Sequence, residues 1–378
     1  MKVFYKAVLP KGFKASAAAC GLKKSGKLDL ALFYSIIPAQ ASAMFTSNKM
    51  AAAPVKVCRE HLKNTRFFQA IIANSGNANC FTGLAGMKAC RRSVEVLAKE
   101  LVVEKKSILV GSTGVIGKPL DFMKIEKAIP ALVKNLSSKG ISLAEKAIMT
   151  TDKFPKTVTV KFRLGLQDIT VCGVAKGAGM IAPHMATMFA FIFTDAAIAR
   201  PAMKEALKEA VENSFNRVTV DGCMSTNDTV ILLANGCAEN KLIQNKSDKL
   251  KFAQAINTVC RELAKMMVKD GEGASKFIEI KVERAATVAE AKKAGLAIAN
   301  SNLFKTAIYG ENPNFGRIVA AVGACGIKVK EENLKIDLGD LKKKNILVRV
   351  SLGRGKAGCI VYTSDLTPEY IKINAAYN

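Results

Sequence analysis

The sequence predicts a mixed α/β protein in which much of the sheet is antiparallel, and three observations carry that prediction. Helix-like and strand-like segments alternate from end to end of the 378 residues, with no low-complexity linker and no internal repeat. The strand-like segments come as hairpin pairs more often than as clean strand–helix–strand units, which is the signature of antiparallel pairing. Apolar residues make up 49% of the chain and charged residues 23%, the balance of a globular protein and of neither a disordered nor a fibrous one. The length suffices for one large domain or two ordinary ones.

Taken in order, Val158–Leu164 and Asp168–Ala175 read as a hairpin around Gly165-Leu166-Gln167. Met188–Phe193 reads as a further strand. Lys204–Phe215 is an amphipathic helix, and Asp248–Val268 a longer one with Leu250, Ala253, Ile256, Cys260, Leu263 and Met267 on one face. Asp270-Gly271-Glu272-Gly273 separates that helix from a strand at Phe277–Val282. Ile346–Leu352, Cys359–Thr363 and Tyr370–Asn374 are expected to be late strands.

The charge is lopsided: 57 Lys and Arg against 31 Asp and Glu give a net +26. An anionic partner such as nucleic acid is the first thought. The lysines, however, are scattered singly or in pairs, with Lys342-Lys343-Lys344 the densest run, whereas a nucleic-acid footprint is clustered and interleaved with aromatics or arginines. Tryptophan is absent and aromatics are only 6%, so material for base stacking is short. A solvated, lysine-rich surface is the better reading, with no nucleic-acid and no membrane partner expected. Two histidines, His61 and His184, rule out a His-rich metal site and argue against a His-based catalytic triad.

None of the ten cysteines forms a Cys-x-x-Cys pair, and most lie among apolar neighbours, where a thiol behaves as a small core residue. A reduced interior fits this better than a disulfide framework. The N-terminal residues show no apolar stretch followed by a small-residue cleavage site, and runs such as Met185–Thr194 are about half the ~18 residues of a membrane span. A soluble, cytoplasmic protein is expected.

The most unusual stretch is Lys176-Gly177-Ala178-Gly179-Met180-Ile181-Ala182-Pro183-His184-Met185-Ala186-Thr187-Met188. A strand ends in a glycine-rich turn that carries a lysine, and the chain passes a proline before entering another strand at a threonine. Read locally, this is a hairpin turn with a surface lysine, since Gly and Pro mark turns far more often than active sites. Neither phosphate-binding glycine pattern is present.

These residues resemble the self-cleavage signature of the ornithine acetyltransferase (glutamate N-acetyltransferase) family of arginine biosynthesis. The resemblance runs through essentially the whole chain, in order. It takes in Phe45-Thr46-Ser47-Asn48-Lys49-Met50, Asn74-Ser75-Gly76-Asn77-Ala78-Asn79, Ser112-Thr113-Gly114 and Met149-Thr150-Thr151-Asp152. Beyond the signature it continues through Thr219-Val220-Asp221-Gly222, Ser225-Thr226-Asn227-Asp228, Asp270-Gly271-Glu272-Gly273-Ala274, Asn312-Pro313-Asn314-Phe315-Gly316-Arg317 and Ile373-Asn374-Ala375.

The resemblance implies an α/β sandwich of the type shared by ornithine acetyltransferases and self-cleaving aminopeptidases. It implies autocatalytic cleavage between Ala186 and Thr187 into chains 1–186 and 187–378, which together form one catalytic unit in an α₂β₂ heterotetramer. Thr187 is then the nucleophile, which takes the acetyl group of N²-acetyl-L-ornithine and passes it to L-glutamate. The chemistry explains the shortage of histidine: a threonine hydroxyl needs an adjacent base, and the α-amine freed at Thr187 has an ordinary pKa of ~7.7–8.0. By the same resemblance Thr113 and Gly114 supply the oxyanion hole, and Thr150, Lys176, Thr187, Glu272 and Asn374 contact substrate. Lys176 suits a substrate carboxylate and Glu272 the side-chain amine of ornithine. No metal and no organic cofactor are implied, with acetyl-coenzyme A entering only as a co-substrate.

Departures from the family pattern are His184 for asparagine, Ala178 for serine, Cys223-Met224 for a more polar pair, and Phe315 for tryptophan, read as a packing change. The chain ends Asn374-Ala375-Ala376-Tyr377-Asn378 and so lacks the family's final threonine. A self-cleaving aminopeptidase or amidase is the alternative enzyme, with water as acyl acceptor, and a basic nucleic-acid-binding protein the alternative of another class.

Overall fold

The computed structural model describes residues 1–182 and 188–376. They form two compact units, each assembled from three separate stretches of chain: Met1–Gly177, His184–Ser214 and Met224–Leu263 in the first, and Ala178–Pro183, Phe215–Cys223 and Ala264–Asn378 in the second.

The first unit is built on a nine-stranded sheet. Its strands are β1 (Lys2–Phe4), β2 (Phe13–Ala18), β3 (Leu30–Phe45), β4 (Phe67–Asn77), β5 (Ile108–Val115), β6 (Lys156–Leu164), β7 (Gln167–Lys176), β8 (Phe189–Thr194) and β9 (Thr229–Ala234). They lie in the order β1-β6-β7-β8-β9-β3-β4-β5, with β2 paired to β3. Most neighbours are antiparallel; β4–β5 and β8–β9 are parallel. The central strands explain themselves from composition: Phe-Ala-Phe-Ile-Phe-Thr in β8 and Thr-Val-Ile-Leu-Leu-Ala in β9 are buried at every position, as strands covered on both faces must be. Phe33 meets Phe193 and Phe191 at centroid distances of 5.1 and 5.4 Å. The long β3 changes register between Tyr34 and Ala39, where Pro38 has no N–H to give to a ladder.

Helices α1 (Ala53–Asn64), α2 (Gly83–Leu101), α3 (Phe122–Lys134), α4 (Ile141–Ala147), α5 (Arg200–Glu212) and α6 (Lys246–Lys269) accompany this sheet, with α6 passing out of the unit after Leu263. In α2 the buried residues Cys90, Ser93, Val94, Leu97 and Ala98 recur at helical spacing. A Cβ at Gly173 of β7 would lie 2.5 Å from Val259 of α6, so the glycine sets how closely that helix approaches the sheet.

The second unit holds a four-stranded sheet in the order β11-β12-β10-β13, made of β10 (Phe277–Ala285), β11 (Lys335–Asp337), β12 (Asn345–Ser351) and β13 (Ala357–Ser364). Helix α7 (Val288–Ala299) packs Ala291, Ala294 and Ile298 into one core with Ile280, Val282 and Val361. It begins where Thr287 accepts the Glu290 N–H, a start legible in Thr-Val-Ala-Glu. Helices α8 (Asn302–Tyr309) and α9 (Gly316–Ala324) follow, and α10 (Pro368–Ala375) comes last.

The predicted mixed α/β class with largely antiparallel sheets is what the structure has. The 158–175 hairpin, both long amphipathic helices and the strands through Ser364 form close to their predicted bounds. Two expectations need correction. Tyr370–Asn374 is helical within α10 and no strand: Pro368 in the first turn and Glu369 beside it are helix-start residues, and they override the β-branched alternation that follows. Phe315 is 62% exposed, so it makes no packing replacement in this chain. The ten cysteines form no disulfide, and Cys58, Cys80, Cys90, Cys172, Cys260 and Cys359 are buried. No helix among the described residues is long and apolar enough to cross a membrane.

Candidate active site

In the first unit the candidate site lies where β4 and β5 run side by side in parallel and β7 ends. Thr113 and Gly114 belong to β5, opposite Ser75 and Gly76 of β4, at the point where the register shifts. Gly114 has φ +133°, and a Cβ there would stand 2.4 Å from the Gly76 carbonyl carbon and 2.5 Å from the Asn77 nitrogen. Only glycine fits, and its absence of a side chain leaves the backbone bare. The preceding residue is clamped: Ser112 donates from Oγ to Asn74 Oδ1 at 2.6 Å, and its carbonyl accepts from Asn227 Nδ2 at 2.7 Å. The same Asn227 amide also donates to the Ala78 carbonyl at 2.6 Å.

Lys176, the last residue of β7, is buried, and its Nζ lies 3.4 Å from Thr113 Oγ1. Beside it is a second buried lysine, Lys156, whose Nζ is 2.6 Å from Asp152 Oδ1 with both side chains fully buried. Asp152 ties several groups together: Oδ1 also accepts the Gly177 N–H at 2.7 Å, and Oδ2 accepts the Thr150 N–H at 2.9 Å. Burial alone would raise this carboxyl's pKa. The cations Lys176 and Lys156 and the Gly177 N–H outweigh it and hold the group well below the usual carboxylate range. Thr150 and the start of the glycine-rich turn are thus fastened to one ionised carboxylate.

Asp228, immediately before β9, is buried as well. Its Oδ1 accepts the Met188 N–H at 2.8 Å, while Oδ2 is buried with no hydrogen-bond partner among the described residues. Burial pushes this carboxyl well above its ordinary pKa, against the pull of the Met188 N–H and the Lys176 charge.

In the second unit, Glu272 and Asn374 come together: Asn374 Nδ2 donates to Glu272 Oε2 at 2.9 Å. A Cβ at Gly179 would lie 2.1 Å from Glu272 Oε2, so Gly179 makes room for that carboxylate. The Glu272 N–H donates to the Ala178 carbonyl at 2.8 Å. Asp221 grips the same arm, its carboxylate accepting the N–H groups of Met180 at 2.6 Å and Ile181 at 2.9 Å. Lys305, also buried, donates to the Val220 carbonyl at 2.6 Å and the Thr363 hydroxyl at 3.2 Å. Burial brings its pKa down to about 8, against the attraction of Asp221 and Asp365.

The pattern of the ArgJ family matches residues 14–343 of this chain. The arginine biosynthesis bifunctional protein ArgJ of Geobacter sulfurreducens is 43% identical over 389 residues, covering 97% of this chain and 99% of that one. Its counterpart from Caldanaerobacter subterraneus subsp. tengcongensis is 43% identical over 394 residues, covering 98% and 97%. The chain belongs to the ArgJ family. It is an enzyme of the acyltransferase class that serves arginine biosynthesis. A solved ornithine acetyltransferase complexed with ornithine, from Mycobacterium tuberculosis, is 36% identical with a TM-score of 0.45, covering 48% of this chain and 97% of that one.

Within this ArgJ-family chain, the structure brings Thr113, Gly114 and Lys176 together, joins Thr150 to that group through Asp152, and pairs Glu272 with Asn374. Thr187 and Ala186 lie outside the described residues. Reading the sequence assigned no role to Asp152, Asn227, Asp228 or Asp221. Each stands in one of the strings that carried the family resemblance, yet nothing in a string distinguishes a buried carboxylate from a solvated one.

Proposed function

We propose that this chain transfers the acetyl group of N²-acetyl-L-ornithine to L-glutamate through an acetyl ester on Thr187. The Thr187 hydroxyl attacks the acetyl carbonyl, the α-amine of the same residue takes its proton, and the Thr113–Gly114 segment receives the oxyanion. L-Ornithine leaves, and the amine of L-glutamate attacks the ester to give N-acetyl-L-glutamate and free Thr187. Lys176 receives the substrate carboxylate with Thr150 beside it. Glu272, with Asn374, receives the side-chain ammonium of ornithine. Nucleophile, base and oxyanion donors all come from the chain, so the reaction as written calls on no cofactor; acetyl-coenzyme A enters only as a co-substrate if glutamate is also acetylated directly.

The α-amine is free only after the Ala186–Thr187 bond is cut, and the same hydroxyl performs the cut by attacking the Ala186 carbonyl. The pieces 1–186 and 187–378 stay one catalytic unit because the cut falls between β7 and β8. These strands are paired from Lys176 opposite Phe189 to Val171 opposite Thr194, and β3 pairs with β9 across the same division. We place the cut enzyme in the cytoplasm as an α₂β₂ heterotetramer.

The observation that carries this reading is the buried Lys176 ammonium beside Thr113, next to a glycine whose backbone no side chain is able to cover. Intact mass measurement of the purified protein beside Thr187→Ala tests it. Wild type gives a fragment beginning at Thr187 and the variant stays whole; a wild-type chain that remains a single species contradicts the mechanism. Assay of acetyl transfer to glutamate against hydrolysis separates this reading from an aminopeptidase or amidase, which hydrolysis alone would favour.

A further inference from the structure

Helix α10 buries none of its residues fully, and polar contacts set its place on the loop that carries Glu272. Thr367, just before the helix, donates from Oγ1 to the Gly273 carbonyl at 2.7 Å. A Cβ at Gly273, where φ is +68°, would stand 2.3 Å from the Tyr370 nitrogen, so loop and first helical turn meet backbone to backbone. The Tyr370 hydroxyl donates to Asp221 Oδ2 at 3.3 Å. One turn further along the same face, Asn374 Nδ2 donates to Glu272 Oε2 at 2.9 Å and to the Tyr370 carbonyl at 3.0 Å. Asp221 is a firm anchor, because its carboxylate also accepts the N–H groups of Met180, Ile181 and Cys223. Burial and the Asp221 charge push the Tyr370 phenol above its ordinary pKa, so it keeps the proton it donates. All of these groups belong to the second unit.

We propose that Tyr370, held by Asp221, is the positioning residue of the side-chain ammonium subsite, fixing the face of α10 from which Asn374 aims the Glu272 carboxylate. The inference rests on Glu272 receiving the ammonium of N²-acetyl-L-ornithine. Glu272 is half-buried, and a glutamate side chain has three rotatable bonds to order before it meets a cation. With Oε2 held by Asn374 and Gly179 close beside it, the carboxylate is ordered in advance and Oε1 is left for the ammonium. One Nδ2 hydrogen of Asn374 goes to Glu272 and the other to the helix itself, so the aim of this amide follows the helix. Thr367 fixes where α10 starts, and Tyr370 fixes how the helix is turned about that point. L-Glutamate has no side-chain amine, so the subsite serves the donor half of the reaction only.

Tyr370→Phe removes one hydroxyl and nothing from the core. The assay compares kcat/KM for N²-acetyl-L-ornithine with that for N²-acetyl-L-norvaline, which has the same carbon chain without the side-chain amine. The variant is expected to melt like wild type and to lose about three- to tenfold of its preference for the ornithine compound, the range of one hydrogen bond, by a rise in KM. The rate with the norvaline compound and kcat/KM for L-glutamate stay unchanged. A merely structural tyrosine would slow both donors alike; that result, or an unchanged preference, overturns the inference. In an Asn374→Ala background Tyr370→Phe should cost nothing further, because the two act through one contact, and fully additive losses count against it. Glu272→Gln separates the two levels of the argument. A preference that collapses in Glu272→Gln but ignores Tyr370→Phe refutes the positioning role alone, whereas a preference indifferent to Glu272→Gln refutes the ammonium subsite and the inference with it.

Discussion

Replacing Gly114 by alanine tests the oxyanion assignment with a magnitude the geometry supplies. At φ +133° an alanine is strained by about 1–3 kcal/mol. Its Cβ would also stand 2.4 and 2.5 Å from backbone atoms of Gly76 and Asn77. Backbone does not swing aside as a side chain does, so β4 and β5 must separate, which adds about 1–3 kcal/mol of overpacking. The expected loss of stability is therefore about 2–6 kcal/mol. The strand that moves carries Thr113 and the Gly114 N–H, and losing one oxyanion donor slows acyl chemistry about a hundred- to a thousandfold. Gly117→Ala is the control. Gly117 has φ +84° but nothing within 4 Å of its would-be Cβ, so only the strain remains. Urea unfolding gives the stabilities, and acetyl transfer at saturating substrate gives the rates. A Gly114→Ala protein as stable as Gly117→Ala and running at full rate would refute the reasoning.

Asp152→Asn breaks the buried ion pair with Lys156, which costs about 3–5 kcal/mol of stability. Because the folded carboxyl's pKa lies below its unfolded value of ~3.9, its stabilisation is present above that pH and disappears as pH falls below it; acid unfolding of the variant, followed by circular dichroism, should lose that part of its slope. Gly179→Ala drives a Cβ into the Glu272 carboxylate, whose flexible end is able to move aside; KM for N²-acetyl-L-ornithine should rise several-fold while the melting temperature stays near wild type, and an unchanged KM would detach Glu272 from the substrate. Lys305, lowered to about 8, binds its proton more weakly folded than unfolded, so its contribution to stability rises with pH between about 8 and 10.4. The difference in unfolding free energy between wild type and Lys305→Met should grow over that window, and a flat difference would contradict the burial account.

The fold class was legible because β8 and β9 are continuous apolar runs and the 156–176 hairpin carries its turn in plain view. The C-terminal helix was misread because Tyr-Ile-Lys-Ile alternates like a strand while its start signals, Pro368 and Glu369, lie outside the segment read. Residues of the candidate site were named by resemblance, and composition gave only the hint that a histidine-poor chain needs another base. Lysine is a surface residue by default, yet Lys156, Lys176 and Lys305 are buried. Their burial depends on Asp152, on a Val220 carbonyl and on strands far away in sequence, which no local pattern encodes. The interleaving of the two units, each drawing on three stretches of chain, is hidden for the same reason.

The central claim is that Thr187 carries the acetyl group. Cut enzyme mixed with N²-acetyl-L-ornithine, quenched in acid and weighed should show the fragment beginning at Thr187 heavier by one acetyl group, with fragmentation placing the group on Thr187. Adding L-glutamate should remove it as N-acetyl-L-glutamate is formed. An unmodified fragment during turnover, or an acetyl group on another residue, would contradict the account.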